Sequence, residues 1–358
     1  MSIKYRCGVL RRSALVATAL IGSMLLGAVP SKAEERVVVA TAGGSFERAL
    51  RTAWFDPFTK ATGIKVISVV ATDAEQRARA SAMVRAGRVE WDIFNNHEIL
   101  AASSGNRAIT EDLSEFCAPY IGSPKLSAGT CSAAGLRFSR NATTMVFNKE
   151  AFAGAKPSSW ADFWDVEKFP GRRALPSFGD PWRVLAAALL ADGVSPSNLF
   201  PLDVDRAFKK LDTIRRQIDL WWRTGDQSQQ GFRNRDYVLG MLFAVRANTL
   251  RDEGQPIEVS FNQAFMIGDS LQVIKGSPNR EAALKLLKFY MENPDVQARY
   301  SELTGVVPPS DAALALLGAE AKAKLPAAGA ATVLIEPNLD WLNANQAMLV
   351  ERWNAWIQ

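Results

Sequence analysis

The chain has 358 residues, 48% hydrophobic and 22% charged, with a formal net charge of +5. The whole surplus lies in residues 1–33, which carry Lys4, Arg6, Arg11, Arg12 and Lys32 and no acid; the remaining bases equal the 37 acids. A neutral body takes away the compositional case for nucleic acid or a general anionic surface as partner. The balance of apolar and charged residues excludes a disordered or fibrous chain.

Residues 1–33 read as a secretory signal peptide. A basic region ends at Arg11-Arg12, an apolar stretch covers 14–29, and Ser31-Lys32-Ala33 places small residues at the −3 and −1 positions. Cleavage is expected after Ala33, giving a periplasmic protein. An uncleaved anchor is the alternative, although the stretch is short for a membrane span. Arg11-Arg12 leaves twin-arginine export open beside the general route. Loss of the segment removes Cys7 and leaves Cys117 and Cys131. An even cysteine count in an exported chain permits a disulfide between them, with two free thiols as the alternative. No CxxC spacing is present, which argues against redox catalysis and zinc.

The mature chain of about 325 residues suits two domains. Residues 37–42 are a β-branched run of strand length, closed by Gly43-Gly44-Ser45. Phe46, Ala49, Leu50, Ala53, Trp54 and Phe58 then recur at helical spacing, with Ser45 available as a cap. Thr62-Gly63 ends that helix and 64–70 returns as a strand, so this is a βαβ unit and a parallel sheet is expected. A helix at 74–86 and a short strand at 91–94 follow, ending in Asn95-Asn96-His97. Residues 136–148 form a long strand leaving the first domain. Beyond Pro157 a second α/β region is expected, with a strand at 173–177 and helices at 182–190 and 203–220. Strands are predicted at 238–245, 257–261 and 270–275. Helices are predicted at 278–293 and 295–304 and over much of 311–358.

Chain crossings near 145–149 and 262–270 make the first domain discontinuous. The expected division is residues 34–146 with 267–310 as lobe 1, 147–266 as lobe 2, and 311–358 as C-terminal helices of either lobe. Two crossovers between α/β lobes form a hinge with a cleft between. Ligands of open parallel sheets sit beyond the carboxyl ends of strands, which selects the candidate residues. Gly44 and Ser45 open a helix and can meet a polar ligand group, or simply make a tight turn. Asn96 and His97 end a strand; His97 is the only histidine, which nearly excludes a hydrolase triad or a multi-histidine zinc site. Phe178, Asp180 and Trp182 offer a carboxylate between aromatics, suited to an ammonium group, although Asp180 could instead cap the following helix. Asp226 faces cleft or solvent. Arg246, after a strand, can take a carboxylate bidentately or make a structural ion pair. Asp269, on the return crossing, is the acid chosen for a cationic ligand; its competing role is a turn residue.

Five stretches carry a resemblance: GGSFERALRTAWFDPFTKATGIKV from Gly43, SSWADFWDVEKFPGRRAL at 158–175, ALLADGVSPSNLFPLDVDRAFKKLD at 188–212, IKGSPNREAALKLLKFYMENPDVQARY at 274–300, and ERWNAWI near the end. Through them nearly all of the mature chain resembles the extracellular solute-binding proteins of ABC importers, in the spermidine/putrescine-binding-like group. The resemblance implies a two-lobed type II periplasmic-binding-protein fold, no enzymatic activity, no cofactor and no bound metal. It implies a monomer that closes on a small amine-containing solute and delivers it to membrane permease subunits. Asp180, Trp182, Asp226 and Asp269 stand where acidic and aromatic ligand contacts are expected.

The departures concern the ligand. Ala42-Gly43-Gly44-Ser45 replaces an aromatic-rich turn, Ser270-Leu271 replaces a Tyr-Trp pair, and Phe243-Ala244-Val245-Arg246 replaces Trp-Asn-Gly-Arg. A less aromatic cleft weakens the polyamine reading, and Arg246 with Asp269 suits a zwitterion such as an ω-amino acid. Ferric-ion binding would call for adjacent tyrosines, whereas Tyr120, Tyr237, Tyr290 and Tyr300 are scattered. A periplasmic hydrolase lacks a nucleophile motif such as GxSxG.

Overall fold

The first parallel unit forms as the β-branched run predicts. β1 (Arg36–Thr41) pairs in parallel with β2 (Lys65–Val70) and β3 (Ile93–His97). Alternate residues of β1 enter two different cores, Val37 and Val39 on one face and Val38 and Ala40 on the other. A strand covered on both faces has no polar side, which is why it reads as an unbroken apolar run. A computed structural model of the protein describes residues 35–177, 180–326 and 332–358. The signal-peptide reading of residues 1–33 and the candidate Phe178 lie outside the described residues.

The helix after β1 runs from Gly44–Leu50 through a π-helical turn, Arg51–Phe55, into Asp56–Thr62, and Gly63 ends it at φ 76°. Its N-cap is Gly43, not Ser45, and no side chain caps it. Gly43 has φ 73°, and a Cβ there would stand 2.5 Å from Cγ1 of Val70, so only glycine fits this turn.

The sheet order is β2-β1-β3-β9-β5-β8-β6-β7. Its centre is a pair of long antiparallel strands, β5 (Gly135–Asn148) and β9 (Ile257–Val273). β9 pairs with β3 at its C-terminal end, and β5 pairs with β8 (Leu239–Phe243) at its own. β6 (Arg173–Pro176) pairs in parallel with β8 and with β7 (Ile218–Trp222). β4 (Cys131–Ser132) and β10 (Leu334–Ile335) are short additions to β5 and β9. Two of the expectations change here. The two predicted strands at 257–261 and 270–275 are one strand of 17 residues, because residues 265–269 between them pair with β5, and the register shifts around Asn262 and Gln263. The predicted helix at 203–220 stops early: Val204–Asp212 is helical, and Ile218–Trp222 is β7. Ile214 and Ile218 continue the apolar spacing of Val204, Ala207, Phe208 and Leu211, which hides the change.

Two large cores flank the central strands, in keeping with a two-lobed α/β fold. One gathers Trp54, Phe58, Phe138 and Tyr290, the other Trp160, Trp182, Phe265 and Trp353. The C-terminal helix Leu339–Ile357 joins the second core through Leu342, Leu349 and Trp353. Where β9 passes Trp160 of the second core, Gln263 takes φ 58°. Its carbonyl accepts from Trp160 Nε1 at 2.9 Å and its side-chain oxygen from the Trp160 backbone N–H at 3.0 Å, so both fix the strand's local geometry. Cys117 and Cys131 are joined as a disulfide, Cα to Cα 5.3 Å, which ties down the loop preceding β5.

Candidate functional site

Six loops leave the carboxyl ends of the parallel strands, three from β1, β2 and β3 and three from β6, β7 and β8. In open sheets this is where ligands bind. Val245, in the helix after β8, packs against the core built on β1, as does Phe46.

The strongest constellation lies on one row of the sheet. His97 on β3 is directly opposite Asp269 on β9, and Ser139 on β5 faces Asp269 from the other side. Residues in register on neighbouring strands point to the same face. Accordingly, Nδ1 of His97 is 3.1 Å from Oδ1 of Asp269, and the Ser139 hydroxyl donates to Oδ2 at 3.2 Å. Nε2 of His97 is 3.5 Å from Asp73, the first residue of the helix Asp73–Ala86 that follows β2. Thr72 and Glu75 close a reciprocal capping box there, which fixes the position of Asp73.

Burial opposes a charge on His97, but the contact with Asp269 and the negative charges of Asp269 and Asp73 outweigh it. The pKa is therefore raised above 6.5, against a smaller opposing influence from Arg183. Arg183 belongs to the helix Trp182–Ala191 after β6, and its side chain is only 2% exposed. Its Nη1 meets Asp180 at 2.9 Å, and its guanidinium lies 5.2 Å from the ring centre of Trp182.

The other candidates separate. Asp180 is a partner of Arg183 and not the helix cap, which is Pro181. Trp182 is fully buried in the second core, 5.5 Å from Phe265 and 6.2 Å from Phe200. Asn96 alternates away from His97 and lies in a buried network with Gln272 and Asn106 on the opposite face. A strand's period of two forbids both Asn96 and His97 from facing one ligand. Gly44 and Ser45 are the first residues of the helix that Gly43 caps. Asp226 and Arg246 pair with each other at 2.8 Å, and Gln229 also accepts from Arg246 at 3.3 Å. Gly225 leaves room for Arg246, whose Nε is 2.6 Å from where a Cβ would be. Arg246 thus follows the structural ion-pair alternative. It also sits in the first turn of the helix Ala244–Asp252, since β8 ends at Phe243.

Asp73, Ser139 and Arg183 were not among the sequence candidates. Asp73 had a signal, being an acid just past the carboxyl end of a parallel strand. Arg183 is the neighbour of Trp182, and its apolar helical surroundings hide it in the sequence. Ser139 had no local signal, because its position depends on strand register. Among the described residues no group of three or more His, Cys, Asp or Glu is placed to hold a metal ion, and no helix is long and apolar enough to cross a membrane.

Known proteins agree with this architecture. The family of bacterial extracellular solute-binding proteins matches residues 53–330. The gamma-aminobutyric acid-binding protein of Pseudomonas aeruginosa is 31% identical over 351 residues, covering 94% of this chain and 95% of that protein. The spermidine/putrescine-binding periplasmic protein of Salmonella typhimurium is 29% identical over 181 residues, 50% of each chain. Among solved structures, the PBP AttC of Agrobacterium tumefaciens C58, in an open unliganded conformation, is 51% identical. It matches over 91% of this chain and 100% of its own, with a TM-score of 0.76.

The chain belongs to the bacterial extracellular solute-binding proteins. It is the solute-capturing component of an ABC importer, a transport protein and not an enzyme, working with membrane permease subunits.

Proposed function

We propose that this chain captures a short ω-amino acid of the 4-aminobutyrate type, closing two lobes on it. Asp269, with Asp73, takes the ammonium end, and Arg183 takes the carboxylate. The observation that carries the reading is the pair of acids that meet at His97, Asp269 at 3.1 Å and Asp73 at 3.5 Å, with the buried Arg183 on the helix after β6 opposing them in charge. A guanidinium has five N–H donors, so Arg183 can serve Asp180 and a ligand carboxylate together. The similarity to a gamma-aminobutyric acid-binding protein over almost the full length supports the same class. Arg183 is preferred to Arg246 in the zwitterion reading because it acts on His97, beside the paired acids, whereas Arg246 pairs with the exposed Asp226 and with Gln229.

A second reading is a polyamine, favoured by the paired acids Asp73 and Asp269 and by the half-length similarity to a spermidine/putrescine-binding protein. In either reading residues 34–146 with 267–310 form lobe 1, and 147–266 with the C-terminal helix form lobe 2. The chain is exported with cleavage after Ala33 and acts as a monomer, and the permease receives the closed form. A ligand favours closure only by binding the closed state better than the open one. Calorimetric titration with 4-aminobutyrate, putrescine and spermidine tests the choice. Binding of 4-aminobutyrate in preference to both amines supports the first reading; binding of polyamines alone rejects it.

A further inference from the structure

The acid assigned to the ammonium group is occupied by the protein itself. Oδ1 of Asp269 is 3.1 Å from His97 Nδ1, and Oδ2 accepts from Ser139 Oγ at 3.2 Å. His97 also reaches Asp73 through its other nitrogen, at 3.5 Å. A protonated imidazole placed there offers what an alkylammonium would offer, one positive charge within contact distance of a carboxylate. Strand register keeps its Cα opposite that of Asp269 while β3 and β9 stay paired. An incoming ammonium group must therefore contest Oδ1 with it.

Resting on the amine reading of this site, we propose that His97 is a tethered rival of the ligand's ammonium group, so that capture by Asp269 expels the imidazole proton to solvent. The groups acting on His97 are few: Asp73 from the helix after β2, Asp269 from β9 and Arg183 from the helix after β6. Ser139 and the buried Tyr300 stand around Asp269 as neutral groups. Burial alone disfavours a charged His97, and pairing with Asp269 is what overcomes it. Once a ligand takes that carboxylate, the lost pairing and the new neighbouring cation both favour the neutral imidazole. Linkage then requires amine affinity to rise with pH until His97 is neutral in the free protein. His97 is thereby a specificity-setting residue: it makes the site weak for amines in acid and strong near neutrality.

The single histidine allows a direct test, because its ring C–H signal in proton NMR is unique in the chain. The intact exported protein is titrated free and saturated with 4-aminobutyrate or, failing that, putrescine. Calorimetry at pH 6.5 in phosphate and in Bis-Tris counts the protons released. The expected results are a lower His97 midpoint in the saturated protein, net proton release, and affinity rising toward about tenfold per pH unit below the free midpoint. His97→Asn should flatten that slope. An unchanged midpoint with no proton release overturns the inference while the amine reading stands. If neither probe binds, the amine reading falls and takes this inference with it.

Discussion

Asp269 and His97 are directly opposed residues of β9 and β3, with Oδ1 and Nδ1 3.1 Å apart, so strand register alone brings the chain's one histidine onto the acid of the proposed ligand site. Two residues to either side on β9, Ile267 belongs to the second core and Leu271 to the first, so Asp269 is the polar position between the two cores on that face.

The same pair makes stability depend on pH. The folded-state pKa of His97 lies above its ordinary 6.5. Its pairing with Asp269 therefore stabilises the fold fully below about pH 6.5, and that contribution is lost as pH rises through the folded value. Thermal unfolding of the ligand-free protein followed from pH 5 to 8.5 should show this component, and His97→Gln should remove it. A wild-type and variant difference that stays constant with pH would contradict it.

Arg183→Lys separates the two ligand readings. Lysine keeps the charge but loses the planar fork that holds a carboxylate bidentately. A lost charge-assisted hydrogen bond is worth about 1.5–3 kcal/mol, so affinity for 4-aminobutyrate should fall roughly tenfold or more. Affinity for putrescine, which has no carboxylate, should not fall in parallel. Calorimetry on both ligands checks this, and equal losses would remove Arg183 from the carboxylate subsite.

Gly43→Ala should destabilise the first lobe without touching a ligand contact. The backbone there combines φ 73° with ψ −169°, a region costing a side chain about 1–3 kcal/mol, and Val70 stands 2.5 Å from the new Cβ. A melting temperature lower by several degrees is expected. An unchanged one would show that the turn relaxes freely.

Reduction of the disulfide should lower stability while leaving the site intact. Closing a loop with a sequence separation of 14 is worth ~3 kcal/mol in the chain-entropy account. Cys117→Ser with Cys131→Ser should melt earlier yet bind its ligand with similar affinity. A large loss of affinity would mean that the loop before β5 shapes the site.

The fold was legible where the sequence carries strong local patterns. The β-branched run of β1, the stripe through Trp54 and Phe58, and the acid on the return strand all sit as their spacing implies. What was not legible depends on long-range pairing. Ile218–Trp222 carries helix-like spacing at its start and becomes a strand only beside β6. The polar stretch around Gln263 looks like a loop and is held in β9 by Trp160 and by its neighbours in the sheet. The site shows the same division. Asp269 and His97 could be chosen singly from their places at strand ends. That they touch, that Ser139 completes the row, and that Arg246 is spent on Asp226 are consequences of register and packing.

A crystal structure with 4-aminobutyrate bound tests the central claim most directly. The account predicts the ligand ammonium within about 3.2 Å of a carboxylate oxygen of Asp269 and the ligand carboxylate within the same reach of the Arg183 guanidinium. A ligand bound elsewhere, or held by Arg246 with Asp269 still closed on His97, would contradict it.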